Sequence, residues 1–259
     1  MTPLDDGDSC FMRFPTLLLA AVASFALVGC TRAAEDTAFN AKVRAYLLAH
    51  PEVIQEAVEK LQEKRQSEAE AQYKQSLDKG KAALPRLRQA LERDPRDFVA
   101  NAGGKVTVTE FYDYRCPHCI NVAPKVVDLI KSNPDIRFVF KEMPIFGATS
   151  EHAARAALAV KAAGGDYVGF YHALMSTRGL NDAEVDELSR AKGVDPAKAE
   201  AAATRTAADA QIADVHKLAA SLYVDGTPTF IIGDEIIPGE DMDAVQAAIV
   251  KARSTPAKG

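Results

Sequence analysis

The chain has 259 residues, of which 47% are hydrophobic, and its formal net charge is -5. This length fits one large domain or a catalytic domain with an appendage, and the apolar content suffices for a buried core. Acidic and basic residues are mixed along the chain without a basic stripe, which argues against a nucleic-acid-binding protein. Four cysteines are too few for a disulfide-stapled scaffold.

The first 34 residues have the pattern of an export signal. Arg13 precedes an apolar run from Leu17 to Val28, and a short positive region followed by about a dozen apolar residues is typical of a secretory signal. The run is shorter than the roughly 20 residues that a transmembrane helix needs. Residues 1–11 carry three aspartates, which is unusual for a signal, so we predict that Met12 is the true start.

Two processing routes fit this segment. The sequence from Leu27 to Cys30 resembles a bacterial lipobox, in which Cys30 would be lipidated and become the new N-terminus. The alternative is ordinary cleavage near Ala33 or Ala34. Both routes lead to the bacterial cell envelope, so we predict a periplasmic protein, lipid-anchored through Cys30 in the first case. That compartment is oxidising, so a reactive cysteine pair can cycle there.

Residues 36–97 are predicted to be an N-terminal helical stalk, with helix over most of their length. The residue pair His50-Pro51 interrupts or restarts the helix, because proline suits a first turn and not a helix interior. Charged residues dominate 62–81, which favours an exposed spacer. An apolar stripe at helical spacing is formed by Val43, Tyr46, Leu47, Ile54, Val58 and Leu61. We favour self-association through this stripe, and the alternative is that it packs on the rest of the chain.

A second domain is predicted over residues 98–253, after turn and linker signals between Asp94 and Gly104. The predicted elements are strands at 106–112 and 136–141 flanking a helix that starts at Cys116, a helical block at 149–222, a hairpin of 229–232 with 235–237, and a last helix at 241–252. A strand, helix and strand of this length predict a parallel βαβ unit. The fold class is therefore α/β, with the helical block inserted.

Cys116 and Cys119 form a Cys-x-x-Cys motif beside this βαβ unit, which is typical of a redox site. Cys116 would lie at the helix N-terminus, where free N–H groups and the helix dipole favour a thiolate. Cys119 follows one turn later, within reach for a disulfide. The sequence therefore predicts Cys116 as the attacking nucleophile with a lowered pKa and Cys119 as the resolving thiol.

The two residues between the cysteines are expected to tune the redox potential of the pair. Pro117 suits the first helical turn, and His118 could place positive charge near the thiolate, which would make the disulfide more oxidising. A structural zinc site is disfavoured, because no second cysteine pair exists. Transient copper(I) capture by the two soft thiolates is the more plausible metal alternative. Apart from the redox-active disulfide, no cofactor is predicted.

Gly226-Thr227-Pro228-Thr229-Phe230 is the second element of the predicted site. A proline that opens a strand cannot donate a ladder hydrogen bond, so Pro228 marks a strand start near the sheet edge. In the cis form it would turn the loop toward the cysteines and leave the backbone of Thr227 free to pair with an extended substrate. The alternative is an ordinary edge-strand proline.

Phe-Tyr-Asp-Tyr-Arg-Cys-Pro-His-Cys after a strand, a helical insertion and then Gly-Thr-Pro-Thr-Phe resemble the DsbA-like thiol:disulfide interchange proteins of the thioredoxin superfamily. The resemblance covers roughly residues 98–253. It implies a thioredoxin fold with an inserted helical domain, Pro228 in cis and a peptide groove at both motifs. Glu110 matches a buried acid of this family, which implies a proton relay to the inner thiol. Lys141 on the next predicted strand is its candidate partner, and the alternative is a simple strand salt bridge.

The N-terminal region with Ala-His-Pro-Glu-Val-Ile resembles the ScsC-type (suppressor of copper sensitivity) disulfide isomerases. This resemblance implies a homo-oligomer, with a trimer favoured, and a link to copper tolerance. Thr227 before the proline also resembles the isomerase and reductase members more than the strict oxidases.

We therefore expect an envelope disulfide isomerase or reductase that acts on exported client proteins and exchanges electrons with a membrane redox partner. The nearest alternative is a monomeric dithiol oxidase that rests in the disulfide form. A copper(I)-binding protein that uses the same thiolates is the alternative from another class.

Overall fold

The computed structural model describes residues 37–254, apart from the side chain of Ala202. The predictions on Met12 and Cys30 lie outside the described residues. Within the described range, none of the helices combines the length and the apolar content that crossing a bilayer requires. The chain divides into two units, Met1–Glu70 and Ala71–Gly259.

The described part of the first unit is helical. Helix α1 covers residues 37–49, and helix α2 runs from Glu52–Glu92 into the second unit, so the predicted interruption at His50-Pro51 is confirmed. Ion pairs of Lys60 with Glu56 and of Lys64 with Glu68 join successive turns of the exposed α2 surface. Large apolar side chains stay exposed in this unit, namely Phe39, Val43, Tyr46, Leu48, Ile54, Val58 and Leu61.

The last turns of α2 belong to the core of the second unit. Leu84 and Leu91 are fully buried in an apolar cluster that includes Leu222. At Gly80 an added Cβ would lie only 2.3 Å from the carbonyl oxygen of Leu222, so glycine permits this close approach. The second unit thus begins at residue 71, ahead of the boundary at 98 that the linker signals indicate.

A five-stranded sheet with the order β1-β3-β2-β4-β5 forms the centre of the second unit as described. The strands are β1 Phe98–Ala100, β2 Val106–Tyr112, β3 Ile136–Glu142, β4 Thr229–Ile232 and β5 Glu235–Pro238. β2 and β3 are parallel and are connected through helix α3 (Pro117–Ser132), and the other pairs are antiparallel. The predicted βαβ unit and the β4–β5 hairpin are confirmed, whereas the short edge strand β1 falls where a linker was expected.

The predicted helical block is confirmed and lies between β3 and β4. It consists of α4 Ala148–Ala162, α5 Tyr167–Ser176, α6 Asp182–Ala191, α7 Pro196–Ala199 and α8 Ala202–Ser221, and α9 Met242–Ser254 follows the hairpin. Asn181 and Glu184 form a capping box that fixes the start of α6. The tyrosines of α5 pack on the same core cluster as Cys116 and Cys119, so the inserted helices help to enclose the cysteine pair.

Candidate active site

Cys116 is the N-cap residue of α3, and Pro117 occupies the first turn. Cys116 has extended backbone angles there, and its carbonyl accepts the N–H of Ile120 at 3.0 Å. Only 1% of its surface is exposed, and its Sγ lies 3.1 Å from the carbonyl oxygen of Thr227. The sequence therefore brings its two motifs together, the cysteine helix and the Thr227-Pro228 turn.

The surroundings of Cys116 stabilise a negative sulfur and lower its pKa to about 5. The largest contribution is a hydrogen bond from Cys119, and the Thr227 side chain and the backbone N–H groups of His118 and Cys119 act in the same direction against the effect of burial. The backbone N–H donors that the sequence predicted for the first turn of this helix are thus present. At neutral pH a thiol with this pKa is mostly thiolate, which is the nucleophilic form.

The surroundings of Cys119 disfavour its ionised form, in contrast to those of Cys116. It is fully buried, and its pKa is raised, first by burial, then by the hydrogen bond to Cys116 and by the negative charge of Glu110. The two cysteine thiols are free, one turn of helix apart. One sulfur is therefore poised to attack and the other to keep its proton until a base removes it.

Thr227 and Pro228 are joined by a cis peptide bond, as the family resemblance implies. The carbonyl oxygen of Pro228 accepts the N–H of Gly239 at 2.8 Å, which ties the turn to the end of the β4–β5 hairpin. The side-chain hydroxyl of Thr227 is buried and has no hydrogen-bond partner in the described part of the chain at rest. It faces the sulfur of Cys116 and favours its ionised form.

Glu110 lies on β2 and is fully buried. Burial raises its pKa well above the ordinary range, and Tyr171 opposes this by donating its hydroxyl to the carboxylate at 3.5 Å. The charge of Glu110 in turn raises the pKa of Cys119. The structure thus places Glu110 beside the inner thiol, within its electrostatic reach.

Lys141 is not the partner of Glu110, and this expectation was wrong. In the β2–β3 register Glu110 lies opposite Phe140, so the side chain of Lys141 projects from the other face of the sheet. There Lys141 forms a buried ion pair with Asp97 and donates to the carbonyl oxygen of Ala90 at 2.6 Å. Lys141 therefore fixes the end of α2 and the segment before β1 to the sheet.

The ring of His118 pairs with an acid, whereas the sequence predicted that it places positive charge near the Cys116 sulfur. Its ring Nδ1 lies 3.2 Å from the carboxylate Oε1 of Glu240, and both side chains are exposed. The part of His118 that reaches Cys116 is its backbone N–H. The ring is therefore paired with Glu240, an acid for which the sequence analysis made no prediction.

Asp113 is a functional residue that the sequence analysis missed. It is buried, and its carboxylate accepts the backbone N–H groups of Arg115, Ile145 and Phe146 and the hydroxyl of Ser150, at 2.6 to 2.9 Å. These bonds join the turn before Cys116 to the loop after β3. The signal for it was an acid directly after a predicted strand end and three residues before the cysteine.

A cavity of about 470 Å³ opens beside the first turns of α3. Ile120, Met175 and Leu180 contribute apolar surface, and the guanidinium groups of Arg115 and Arg178 also line it. Arg115 is oriented by donating to the carbonyl oxygen of Phe146 at 3.0 Å. The cavity therefore combines apolar surface with two arginines near the start of α3.

Among the described residues, no group of three or more His, Cys, Asp or Glu side chains is arranged to hold a metal ion. Cys116 and Cys119 provide two sulfur atoms, and Glu110, whose charge acts on Cys119, is a buried oxygen donor. Two thiolates suit a soft metal ion such as copper(I).

Residues 107–250 match the family model of the DSBA-like thioredoxin domain, which is more than half of the chain. The chain belongs to the DsbA-like thioredoxin family. Residues 35–68 match a second model, the copper resistance protein ScsC N-terminal domain. The DsbA-like domain therefore carries an ScsC-type N-terminal region, and the fold is a thioredoxin fold with an inserted helical block.

Three relatives illustrate the similarity. The thiol:disulfide interchange protein DsbA of Bordetella pertussis is 27% identical over 58% of this chain and 78% of its own length. A thioredoxin-like oxidoreductase from Silicibacter pomeroyi DSS-3 is 37% identical, with a TM-score of 0.60 over 65% of this chain and 98% of that one. A periplasmic thioredoxin-like protein from Salmonella enterica serovar Typhimurium is 28% identical, with a TM-score of 0.59 over 65% and 97% of the chains. This DsbA-like protein is a thiol:disulfide oxidoreductase.

Proposed function

We propose that this protein is an envelope disulfide isomerase or reductase in which Cys116 is the nucleophile and Cys119 the resolving thiol. The observation that carries the proposal is the electrostatic contrast of the pair. The pKa of Cys116 is lowered to about 5, whereas burial and the charge of Glu110 raise the pKa of Cys119. A thiolate that stays ionised at neutral pH can attack client disulfides without a prior proton transfer.

The exchange begins when the thiolate of Cys116 attacks one sulfur of a client disulfide. The client S–S bond breaks, a mixed disulfide forms, and the second client sulfur leaves as a thiolate. In isomerisation that thiolate attacks another client disulfide, and a client thiolate finally displaces Cys116, with no net change in oxidation state. The Thr227-Pro228 turn and the cavity beside α3 are the surfaces proposed to hold the client strand.

Reduction uses the second cysteine. Cys119 gives its proton to the carboxylate of Glu110, and its thiolate attacks the sulfur of Cys116 in the mixed disulfide. The client leaves as a thiolate and is reduced by two electrons, while Cys116 and Cys119 form a disulfide. A membrane redox partner of the envelope is proposed to reduce this disulfide again.

The direction of exchange is the finer part of the proposal. A stabilised Cys116 thiolate keeps the pair reduced, as an isomerase needs at the start of a cycle, and it makes the Cys116–Cys119 disulfide a stronger oxidant. The match of residues 35–68 to an ScsC N-terminal domain and the presence of Thr227 before Pro228 support the same direction. A monomeric oxidase, by contrast, would rest as the disulfide.

Two measurements test the direction. Free thiols trapped in intact cells should show Cys116 and Cys119 mostly reduced, and the purified protein should refold a substrate with scrambled disulfides. Cys116→Ser should abolish all exchange, whereas Cys119→Ser should accumulate mixed disulfides with clients. A pair found mostly oxidised in cells, with no refolding of scrambled substrate, would establish the oxidase instead.

We also propose that the exposed apolar residues of α1 and the start of α2 mediate homo-oligomerisation, with a trimer favoured. Ile54, Val58 and Leu61 lie on one side of α2 and are each about half exposed. Val58→Glu should dissociate the oligomer in light scattering, while Gln55→Glu on the same helix should leave it intact. A wild-type monomer would contradict the proposal.

The proposed location is the bacterial periplasm, supported by the signal-like segment and by the periplasmic relative from Salmonella. Lipid anchoring through Cys30 has its own test, because Cys30→Ser would release the protein from the membrane fraction only if this residue carries the lipid. Equal release of both forms by osmotic shock would indicate ordinary cleavage.

Copper(I) binding is the second candidate, favoured by the match to a copper resistance N-terminal domain and by the two adjacent sulfur atoms. Titration of the reduced protein with copper(I) beside a competing chelator tests it, with the variant Cys119→Ser as control. Affinity no greater than that of an unstructured dithiol peptide would dismiss this candidate.

A further inference from the structure

A second buried acid lies on the same sheet face as Glu110. In the parallel register of β2 and β3, Glu110 is opposite Phe140 and Tyr112 is opposite Glu142. Residues two apart on a strand point to the same face, so Glu110 and Glu142 both face the core that contains the cysteines. The strand predicted from the sequence ended at Lys141, and no role was predicted for Glu142.

Glu142 is held by three tyrosines. Its Oε1 accepts hydroxyl hydrogen bonds from Tyr112 at 2.7 Å, Tyr114 at 3.0 Å and Tyr167 at 2.5 Å. Only 2% of the residue is exposed, and its Oε2 has no partner in the described part of the chain. Three donors directed at one oxygen stabilise an ionised carboxylate, while burial opposes ionisation and raises the pKa of Glu142 to about 8.

The tyrosine cluster extends to Glu110 and Cys119. Tyr167 and Tyr171 are four residues apart on α5, and Tyr171 donates to Glu110. The ring of Tyr171 packs edge-on against that of Tyr112, with centroids 5.2 Å apart. The charge of Glu142 raises the pKa of Glu110, and the charge of Glu110 raises the pKa of Cys119. The two acids therefore titrate as a coupled pair.

We propose that Glu142 is a positioning residue for the resolving step, whose tyrosine-controlled charge sets how readily Glu110 takes the proton from Cys119. The inference rests on the proposed function of the pair. In this step the proton passes from Cys119 to the Glu110 carboxylate, the Cys119–Cys116 bond forms, and the Cys116–client bond breaks with release of a client thiolate. The ionisable groups that act on Glu142 are Glu110 and Tyr112 on β2, Asp113 and Tyr114 directly after it, and Tyr167 on α5.

The sign of the effect follows from like charges. An ionised Glu142 makes Glu110 a stronger base that ionises only at higher pH, because two buried negative charges repel. Glu142→Gln keeps the shape and an acceptor for the tyrosines but removes the charge. The pH midpoint of the resolving step should then fall by about one pH unit, and the plateau rate should fall because Glu110 becomes the weaker base.

The experiment uses the full chain loaded as a mixed disulfide between Cys116 and a cysteine peptide. The rate of peptide release is measured from pH 5 to pH 10 for wild type, Glu142→Gln and Tyr167→Phe. Tyr167→Phe removes one donor, favours neutral Glu142, and should move the midpoint in the same direction by a smaller amount. In the Glu142→Gln background it should produce no further shift, because both changes act through one charge.

The formation rate of the mixed disulfide, measured on the same variants, separates this inference from the proposed function. If wild-type Cys116 does not attack the peptide, the proposed function fails. If attack is normal and the midpoint is unmoved in a folded Glu142→Gln protein, the role of Glu142 is refuted. Should that variant not fold, Tyr167→Phe alone decides, and an unmoved midpoint overturns the inference. A Tyr167→Phe shift that persists without Glu142 overturns it as well.

Discussion

The reduced protein should gain stability relative to the oxidised protein as pH rises from 5 to 8. The pKa of Cys116 is about 5 in the folded chain against an ordinary 9.0, so its thiolate contributes stability that is fully present above pH 9 and is lost as pH falls through 5. One pKa unit corresponds to 1.36 kcal/mol. Across three pH units the gain is therefore about 4 kcal/mol. The comparison ends at pH 8 because above that pH the Cys119 thiol ionises in the unfolded chain but not in the folded chain, which would add a second pH dependence.

Urea unfolding of both redox forms at each pH measures this difference. Neither cysteine titrates in the disulfide form. Buried acids such as Glu110 and Asp97 titrate in both redox forms, so their contributions to the difference in stability cancel to first order. Cys116→Ser should leave no pH-dependent gain relative to the oxidised wild type. A stability difference that is flat from pH 5 to 8, or that begins to rise only near pH 8, would refute the stabilised thiolate.

Two further substitutions test the framework around the site. Asp113→Ala removes the acceptor of four hydrogen bonds and should lower the free energy of unfolding, measured in urea, by about 3 kcal/mol. The control Asp128→Ala, at an exposed position, should change the free energy of unfolding little. Equal effects of the two substitutions would contradict the anchoring role of Asp113. Lys141→Met leaves the carboxylate of Asp97 buried without its cation and should lower the free energy of unfolding by about 4 kcal/mol. Adding Asp97→Leu removes the buried charge and should restore most of that stability. A double variant as unstable as the single one would show that the ion pair is not the cause.

The parts of the fold that the sequence predicts are those with local signals. The Gly233-Asp234 turn between two apolar runs predicts the β4–β5 hairpin, and the spacing of Cys116 and Cys119 predicts a helix start with one thiol exposed to its dipole. Strand β1 escapes prediction because Phe98 to Ala100 is too short for an alternating pattern. It pairs with β3 only because the sheet edge is available.

Side-chain partners across the sheet could not be predicted because they depend on register. Lys141 and Glu142 are neighbours in sequence, yet the pleat sends Lys141 to Asp97 on one face and Glu142 to the tyrosines on the other. A strand shifted by one residue would exchange them. The same limit applies to α2, where Leu84 and Leu91 show an apolar face but only the tertiary structure identifies what covers it.

The Thr227 hydroxyl has a role that its resting contacts do not reveal. It is one of four buried side-chain polar atoms that lack a partner in the described chain, and such an atom normally lowers stability. In the thiol state the sulfur of Cys116 donates to the Thr227 carbonyl, so the hydroxyl becomes useful only when the sulfur ionises and accepts from it. Thr227→Val should therefore raise the pKa of Cys116 in an ultraviolet thiolate titration while leaving stability at acidic pH equal or higher. Loss of stability at acidic pH with an unmoved thiolate titration would show that the hydroxyl serves packing alone.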